Sequence, residues 1–506
     1  MPRFRARRLS RLLALVAGAA LPLGCERADN RHDPAAGVPR DALSLVVISI
    51  DTLRADHLGC FGYFRDTSPA IDAFARQAVF FENAYAPMAT TLPSHATLFT
   101  GLYPLEHGVL ANVGDGGVPF GARGGIVSLA EEARQAGLAT AAFVSATPLK
   151  RYSGFDAGFD VYDEPQADEA TRDATATTDA ALAWLGRASA PFLLFIHYYD
   201  PHMPYAPPAP YDTMFAPDAA LDACLAERAI PARVEPDLCK GRRPTPTRPS
   251  WNLYDGEIRY TDTQVERVLR RLRDGGLWER CVIVLTADHG EGLNQHGWPQ
   301  HGRVWNEQLH VPLMIRFPAG VAGDLPPRVP ALVSLADVAP TVLGRSGARW
   351  APRLAAQATG RDVLAPGWKE RPLLAQRSAR DCGPEAGADF VLLLPGWRLH
   401  RTVDAAPLLF ARPTDPHELR DLSAERSALA SSLDDIARRL AGLLAARGDE
   451  LGPVTGAGAD VTDEQARQLE ALGYAGGSQS AVTADATDAF DAYPTLEDLR
   501  SVLTEP

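Results

Sequence analysis

Leu43-Ser-Leu-Val-Val-Ile-Ser-Ile50 runs directly into Asp51-Thr-Leu-Arg54. A stretch dominated by Leu, Val and Ile, with only serine for polarity, has the length and branching of a strand buried on both faces. Similar runs follow at Thr140–Ser145, Phe192–Ile196, Val282–Thr286 and Pro312–Phe317. Helix-like stretches lie between them. Ser68-Pro69 and Ser128 have the form of helix starts, a capping hydroxyl and, in the first, a Pro at the opening helical position. Tyr254–Leu272 sets Ile258, Val265, Val268, Leu269 and Leu272 along one apolar face. This alternation predicts an α/β fold, with a mostly parallel sheet flanked by helices.

The polar residues gather where those strands end. Asp51 follows the first; His197 and Asp200 follow Ile196; Asp288 and His289 follow Thr286. Ligands of open α/β sheets bind at the carboxyl ends of the strands, so these groups should converge in one crevice. A single Asp after a strand is an ordinary helix cap. Three strand ends carrying Asp or His go beyond that, and a divalent cation would relieve the repulsion among them. Between the first two strand ends lies Met88-Ala-Thr-Thr-Leu-Pro-Ser-His-Ala-Thr-Leu-Phe-Thr-Gly101. Pro93 and Ser94 suit the first turn of a helix, which sets Thr91 at its N-terminal end. A hydroxyl there meets unpaired N–H groups and the positive end of the helix dipole, which favour an alkoxide, and a metal would make it a nucleophile. The alternative is an N-cap worth about 1 kcal/mol and nothing more.

Composition narrows the class. Hydrophobic residues make up 46% and charged residues 22% of the 506, the balance of a globular protein. A formal net charge of -13 speaks against a nucleic-acid partner, which would need clustered Lys and Arg. Residues 1–25 read as an export signal: Arg3, Arg5, Arg7, Arg8 and Arg11 precede an apolar run, Leu12–Leu23, shorter than the roughly 20 residues of a spanning helix. Leu21-Pro-Leu-Gly-Cys25 is similar to a bacterial lipobox, so a lipid anchor at Cys25 and a periplasmic or outer-membrane lipoprotein are expected, tethered by residues 26–42. Cys224 and Cys239 share one Pro-rich segment and can pair in an oxidising compartment, whereas Cys281 opens a strand as a small hydrophobe. The large domain is expected over 43–370, with an irregular excursion over Pro204–Ser250. A smaller α+β subdomain follows over 371–475, with hairpin strands at Val391–Leu394 and Trp397–His400 and a helix over Ser423–Arg447. Residues 476–506 read as a loosely ordered tail.

Taken together, the motifs resemble the sulfatase family of the alkaline phosphatase superfamily. Ser49-Ile-Asp-Thr-Leu-Arg-Ala-Asp-His-Leu-Gly59 is similar to its first metal motif, and Thr91-Leu-Pro-Ser-His95 with Thr100-Gly-Leu-Tyr-Pro104 and His107-Gly108 to its nucleophile motif. His197-Tyr-Tyr-Asp-Pro-His202 looks like the substrate loop, and Tyr254-Asp-Gly-Glu-Ile258 like the helix after it. Ala287-Asp-His-Gly-Glu291, His296-Gly297, His301-Gly302 and Val311-Pro-Leu313 look like the second metal motif. Thr414-Asp-Pro-His-Glu418 and Leu469-Glu-Ala-Leu-Gly-Tyr474 are similar to late signatures. The resemblance implies an alkaline-phosphatase-like fold and a hydrolase of sulfate or phosphate esters. The departures bear on chemistry. Thr91 stands where sulfatases carry the Cys or Ser that becomes formylglycine, and a secondary alcohol cannot form that aldehyde. His95 replaces the usual Arg, Thr52 the second Asp, and His289 the usual Asn.

Superfamily relatives that cleave phosphodiesters use Thr directly, and their inner metal set implies Asp51, Thr91, Asp288 and His289 here. The same likeness implies Asn112 as a donor to the transferred oxyanion. A second metal site is poorly matched, so one divalent ion is expected. The imidazole favours Zn or Mn, while family likeness allows Ca or Mg. In the expected mechanism Thr91 attacks sulfur or phosphorus of an anionic ester, with Asn112, Arg54 and His95 meeting the charge and His202 or His301 protonating the leaving oxygen. A phosphodiesterase, a phosphoryl or sulfuryl transferase on the same scaffold, and a non-catalytic binding lipoprotein are the alternatives.

Overall fold

The computed structural model describes residues 42–216, 218–228, 248–347, 349–378, 389–402, 405–455, five positions between 462 and 468, and 492–503. The export signal, Cys25, Cys239, Cys382 and the Leu469–Tyr474 motif lie outside the described residues; Cys60, Cys224 and Cys281 are free thiols.

Eight strands form the main sheet: β1 (Ser44–Ile50), β2 (Val79–Tyr85), β3 (Ala139–Phe143), β4 (Val161–Asp163), β5 (Phe192–Tyr198), β6 (Cys281–Ala287), β7 (His310–Arg316) and β8 (Arg328–Ser334). Their order is β4-β3-β5-β1-β6-β7-β2-β8. The sheet is parallel except at β7, which runs antiparallel to both neighbours. Every residue of β1, β5 and β6 is buried, as strands covered on both faces require. β1 lies between β5 and β6, with Ile50 beside Tyr198 on one side and Ala287 on the other. Residues 51, 199 and 288 therefore leave the sheet side by side.

The helices form where their caps predict. Ser128 opens Leu129–Gln135 with a reciprocal capping box: its Oγ accepts from Glu131 N at 3.1 Å, and the Glu131 carboxylate accepts from Ser128 N at 2.8 Å. Pro69 starts Pro69–Ala75, though Ser68 makes no side-chain cap bond. The long helix Arg248–Asp274 buries Ile258, Val265, Val268, Leu269 and Leu272. Part of the Pro204–Ser250 excursion is helical, over Ala219–Glu227, with Asp218 as its cap. No helix among the described residues is long and apolar enough to cross a membrane.

The C-terminal subdomain is an antiparallel sheet of β9 (Leu373–Gln376), β10 (Phe390–Leu393), β11 (Trp397–Arg401) and β12 (Leu408–Ala411), ordered β12-β11-β10-β9. Helix Ser427–Leu451 lays Leu433, Ile436, Leu440 and Leu444 against Leu392, Leu399 and Leu409. Tyr103 and Leu105 of the large domain join this second core. Within the expected loose tail, residues 492–503 dock on it: Tyr493 stacks on Tyr103 at 5.9 Å and donates to Pro372 O at 3.0 Å.

Asp200, one of the strand-end carboxylates, serves the fold. Its Oδ2 accepts from Ala174 N at 2.9 Å at the start of helix Ala174–Leu185, and burial pushes its pKa up to about 7. An acid whose folded pKa lies above its unfolded value loses stability as pH rises between the two, and the loss is flat above the folded value. Asn at this position keeps the acceptor without the charge. The thermal midpoint of Asp200→Asn should match wild type near pH 4, rise progressively above it to pH 7, and keep that lead at higher pH in scanning calorimetry.

Candidate active site

Two carboxylates and one imidazole meet at the end of β1 and β6. Asp288 Oδ1 accepts from two backbone donors, His289 N at 2.9 Å and Thr52 N at 3.3 Å. Those bonds fix the carboxylate and turn Oδ2, which has no hydrogen-bond partner, toward His289 Nε2 at 3.4 Å. Asp51 Oδ1 lies 3.7 Å from the same nitrogen. His289 Nδ1 lies 3.0 Å from Gly290 O, and a carbonyl only accepts, so the ring hydrogen sits on Nδ1. Nε2 therefore presents a lone pair to two carboxylates. Asp51, Asp288 and His289 are fully buried and form a group able to hold a metal ion. Burial pushes Asp51 and Asp288 well above the ordinary carboxylate range, and for Asp288 the neighbouring Asp51 charge adds to it. These residues fit a divalent cation: oxygens and an unprotonated nitrogen converge in a dry pocket, and a positive charge would reverse the forces that raise both acids.

A local backbone device holds this pair together. Thr52 adopts φ +54°, the left-handed region that a β-branched residue avoids. Tyr254, on helix Arg248–Asp274, donates its hydroxyl to Thr52 O at 2.7 Å and accepts from Arg54 N at 3.0 Å. The strained turn is what aims Thr52 N at Asp288. Gly290 is needed beside it, since a Cβ there would run into the Glu307 carbonyl.

Thr91 is the first residue of helix Thr91–Thr100, and Thr90 takes the N-cap position. The capping reading of the Thr91 hydroxyl thus falls away. Its Oγ1 is buried without a hydrogen bond of good geometry, close enough to Asp51 to bias that carboxyl's ionisation. Ser94 Oγ donates to Asp288 O at 2.6 Å and ties the first helical turn to the end of β6. Asn112 is aimed by Leu92: its Oδ1 accepts from Leu92 N at 2.9 Å, which leaves Nδ2, buried and without a partner, as the outward donor. A tight turn carries Asn112, and a Cβ at Gly117 would strike the carbonyls of Ala111 and Asn112.

The other expected site residues take different positions. His95 braces the helix against β1, with Nδ1 2.8 Å from Thr91 O and Nε2 2.9 Å from Ser49 Oγ. Both nitrogens are engaged, and burial drives its pKa well below the ordinary value, so it stands neutral. Arg54 pairs with Asp56 through Nε and Nη2 and donates Nη1 to Glu291 O at 3.2 Å. Burial opposes its charge, but Asp56 outweighs that and keeps it ionised. The structure accounts for this arginine through Asp56 and Glu291 rather than through Thr91. His202 and His301 face each other, Nε2 to Nε2, at 3.1 Å. His202 Nδ1 lies 2.5 Å from Met203 O, and His301 Nδ1 lies 2.9 Å from Ala89 O. The carbonyl puts the His301 hydrogen on Nδ1 and leaves its Nε2 as an acceptor facing His202, whose Nδ1 also lies 2.6 Å from the Tyr199 hydroxyl. The His301 ring packs on His289 at 4.3 Å, which joins this pair to the carboxylates.

Two residues outside the expected ligand and catalytic sets belong here. Tyr254 stood in a motif with no role attached, and nothing in the sequence announces its bond to Thr52. His197 stood at a strand end, which was the available signal. It is fully buried, with Nε2 3.4 Å from Asp51 Oδ2, and burial pushes its pKa down to about 3.

Known proteins agree with this architecture. Residues 44–348, well over half of the chain, match the family model described as Sulfatase. The chain is 26% identical over 333 residues to an ulvan-active sulfatase of Formosa agariphila, covering 60% of this chain and 61% of that protein. It is 25% identical over 336 residues to human iduronate 2-sulfatase (Homo sapiens), covering 56% and 61%. A multifunctional alkaline phosphatase superfamily protein, PehA of Trinickia caryophylli, is 26% identical over 312 residues, covering 53% and 58%. The chain thus spans about three-fifths of the length of the curated relatives it matches. Its fold is shared with the phosphonate monoester hydrolase of Agrobacterium radiobacter, at TM-score 0.60 and 22% identity over 80% of this chain and 96% of that one. It is shared equally with BT4656, solved with its substrate D-glucosamine-2-N,6-O-disulfate, at TM-score 0.62 and 18% identity over 82% and 99%. By its sequence match and its motifs, this chain belongs to the sulfatase family.

Proposed function

We propose that this protein is a metal-dependent hydrolase of sulfate or phosphate esters in which Thr91 is the nucleophile. The observation that carries the reading is the Thr91 hydroxyl itself. It is buried, free of any capping bond, and set at the first turn of a helix beside Asp51. Asp51, Asp288, His289 and Thr91 would hold a divalent ion, whose positive charge would favour the ionised hydroxyl and offset the ester oxygens.

Thr91 Oγ attacks the sulfur or phosphorus in line. A Thr91–O–S or Thr91–O–P bond forms as the bond to the leaving oxygen breaks. A proton supplied by His202 or His301 passes to that oxygen, which leaves as the alcohol. Asn112 Nδ2–H donates to a non-bridging oxygen where charge builds. Water then attacks the same centre, its proton returns to the histidine pair, and Thr91 is released with the inorganic or monoester anion. Formylglycine chemistry has no part in this scheme.

Phosphorus chemistry is favoured over sulfate by Thr91 and by His289 at the family's Asn position. The shared fold with a phosphonate monoester hydrolase and with a protein that binds a disulfated sugar is compatible with either anion. The N-terminal Arg cluster, apolar run and Cys25 support export to the periplasm or the outer membrane, with membrane contact through a lipid at Cys25.

Turnover of paired aryl sulfate, phosphate monoester and phosphodiester substrates by metal-loaded protein tests the reading. Thr91→Ala should lose all three activities to background, and Thr91→Ser, which keeps the hydroxyl, should retain measurable turnover. Sulfatase or phosphodiesterase turnover that survives in Thr91→Ala sinks the proposed nucleophile. Asn112→Ala should lower kcat by roughly 10²–10³-fold, as for loss of one oxyanion donor, with KM little changed. Phosphodiester as the best substrate would place the protein among phosphodiesterases built on the sulfatase scaffold.

A further inference from the structure

We propose that His197 is a positioning residue of the metal centre: its Nε2–H holds Asp51 Oδ2, so that Oδ1 alone turns toward the ion. This rests on the reading of Asp51 as a metal ligand.

The two oxygens of Asp51 face two different imidazoles. On one side Oδ1 lies 3.7 Å from His289 Nε2, whose hydrogen is committed to Nδ1 by the Gly290 carbonyl. No proton is available there, and two electron-pair donors meet across a gap suited to a cation. On the other side Oδ2 lies 3.4 Å from His197 Nε2. His197 has no carbonyl against Nδ1 to dictate its tautomer, and neither of its ring nitrogens has a hydrogen-bond partner. A fully buried imidazole with unsatisfied ring nitrogens is unfavourable, so it has reason to take the one acceptor in front of it. A closure of about 0.5 Å brings Nε2 to Oδ2 into the range of a charge-assisted bond.

His197 also groups with His95 and Asp288 in a set whose donor atoms could hold an ion, but its surroundings favour the Asp51 contact. It pairs in register with Ser49 of β1, and Ser145 Oγ donates to its carbonyl at 2.6 Å, so its backbone is fixed from both sides. His95 stands edge-on to it at 5.1 Å, but Ser49 and the Thr91 carbonyl already engage that ring. Pinning one oxygen stops the Asp51 carboxylate from rotating between one-oxygen and two-oxygen modes. Partners of this kind are typically worth 10–100-fold in metal affinity.

Chelator competition on the purified full chain measures the effect. His197→Phe, close in volume and without a donor, should bind Zn(II) or Mn(II) roughly 10–100-fold more weakly than wild type. Its metal-free thermal midpoint reads the fold separately, and a midpoint within a few degrees of wild type shows that the loss is one of metal affinity. His197→Gln, which retains an N–H donor, should recover part of the affinity. In metal-loaded wild type with ¹⁵N-labelled histidine, His197 Nε2 should keep its hydrogen, and this arm holds even if the Phe variant fails to fold. Wild-type affinity in His197→Phe overturns the proposal while leaving Asp51 as a ligand. Loss of the Nε2 hydrogen on loading overturns it in favour of direct ligation. A wild-type chain that binds no ion removes the metal reading and this proposal together.

Discussion

Asp51 and Asp288 are placed beside each other, out of water, with a lone pair of His289 pointed at both. Like charges at that range in a low-dielectric pocket repel strongly, and each acid's pKa is raised by its burial. The fold nonetheless builds this contact with care. β1 and β6, more than 200 residues apart in sequence, lie in register so that their next residues emerge together. Thr52 accepts a left-handed backbone to donate to Asp288, and Tyr254 holds it there. Such an arrangement suits a partner of opposite charge, and the proposed roles of Thr91, Asn112 and His197 are built around that partner.

The site is also layered. In the proposed mechanism Thr91, Asn112 Nδ2 and the His202–His301 pair act on the ester. Behind them, His95, Ser94 and Tyr254 tie the Thr91 helix and the Thr52 turn to the ends of β1 and β6. His95 illustrates why residue type alone misleads. At the position of a family arginine it invites a charged role, yet the Thr91 carbonyl and the Ser49 hydroxyl use both of its nitrogens. Arg54 is likewise drawn aside by Asp56.

Much of the frame was legible in the sequence. β1, β3, β5, β6 and β7 are near-continuous apolar runs, and each was readable without its neighbours. β2 and β8 were not, because Glu82 and Asn83 interrupt one, and an exposed Pro330 interrupts the other. The direction of β7 depends on how the chain returns from the His296–Trp305 loop, which no local pattern encodes. Asp51, Asp288 and His289 were legible because strand ends and motif spacing coincide at them. The Thr91 cap was a question of one residue of helix phase, which only the backbone resolves. His197 was visible at its strand end but lacked meaning until β5 was seen to lie next to β1. Residues 492–503 read as loose with the small, polar stretch that begins at Ala475; Tyr493 and Leu499 anchor them on a surface assembled from distant strands.

The central claim is that Asp51, Asp288, His289 and Thr91 enclose one divalent cation. Anomalous diffraction from crystals of the protein grown with Zn(II) or Mn(II) tests it most directly. The account predicts one strong peak per chain, about 2.0–2.3 Å from Asp51 Oδ1, Asp288 Oδ2 and His289 Nε2, with Thr91 Oγ1 beside it. No peak among these atoms, or one elsewhere in the chain while this cluster stays empty, would contradict it.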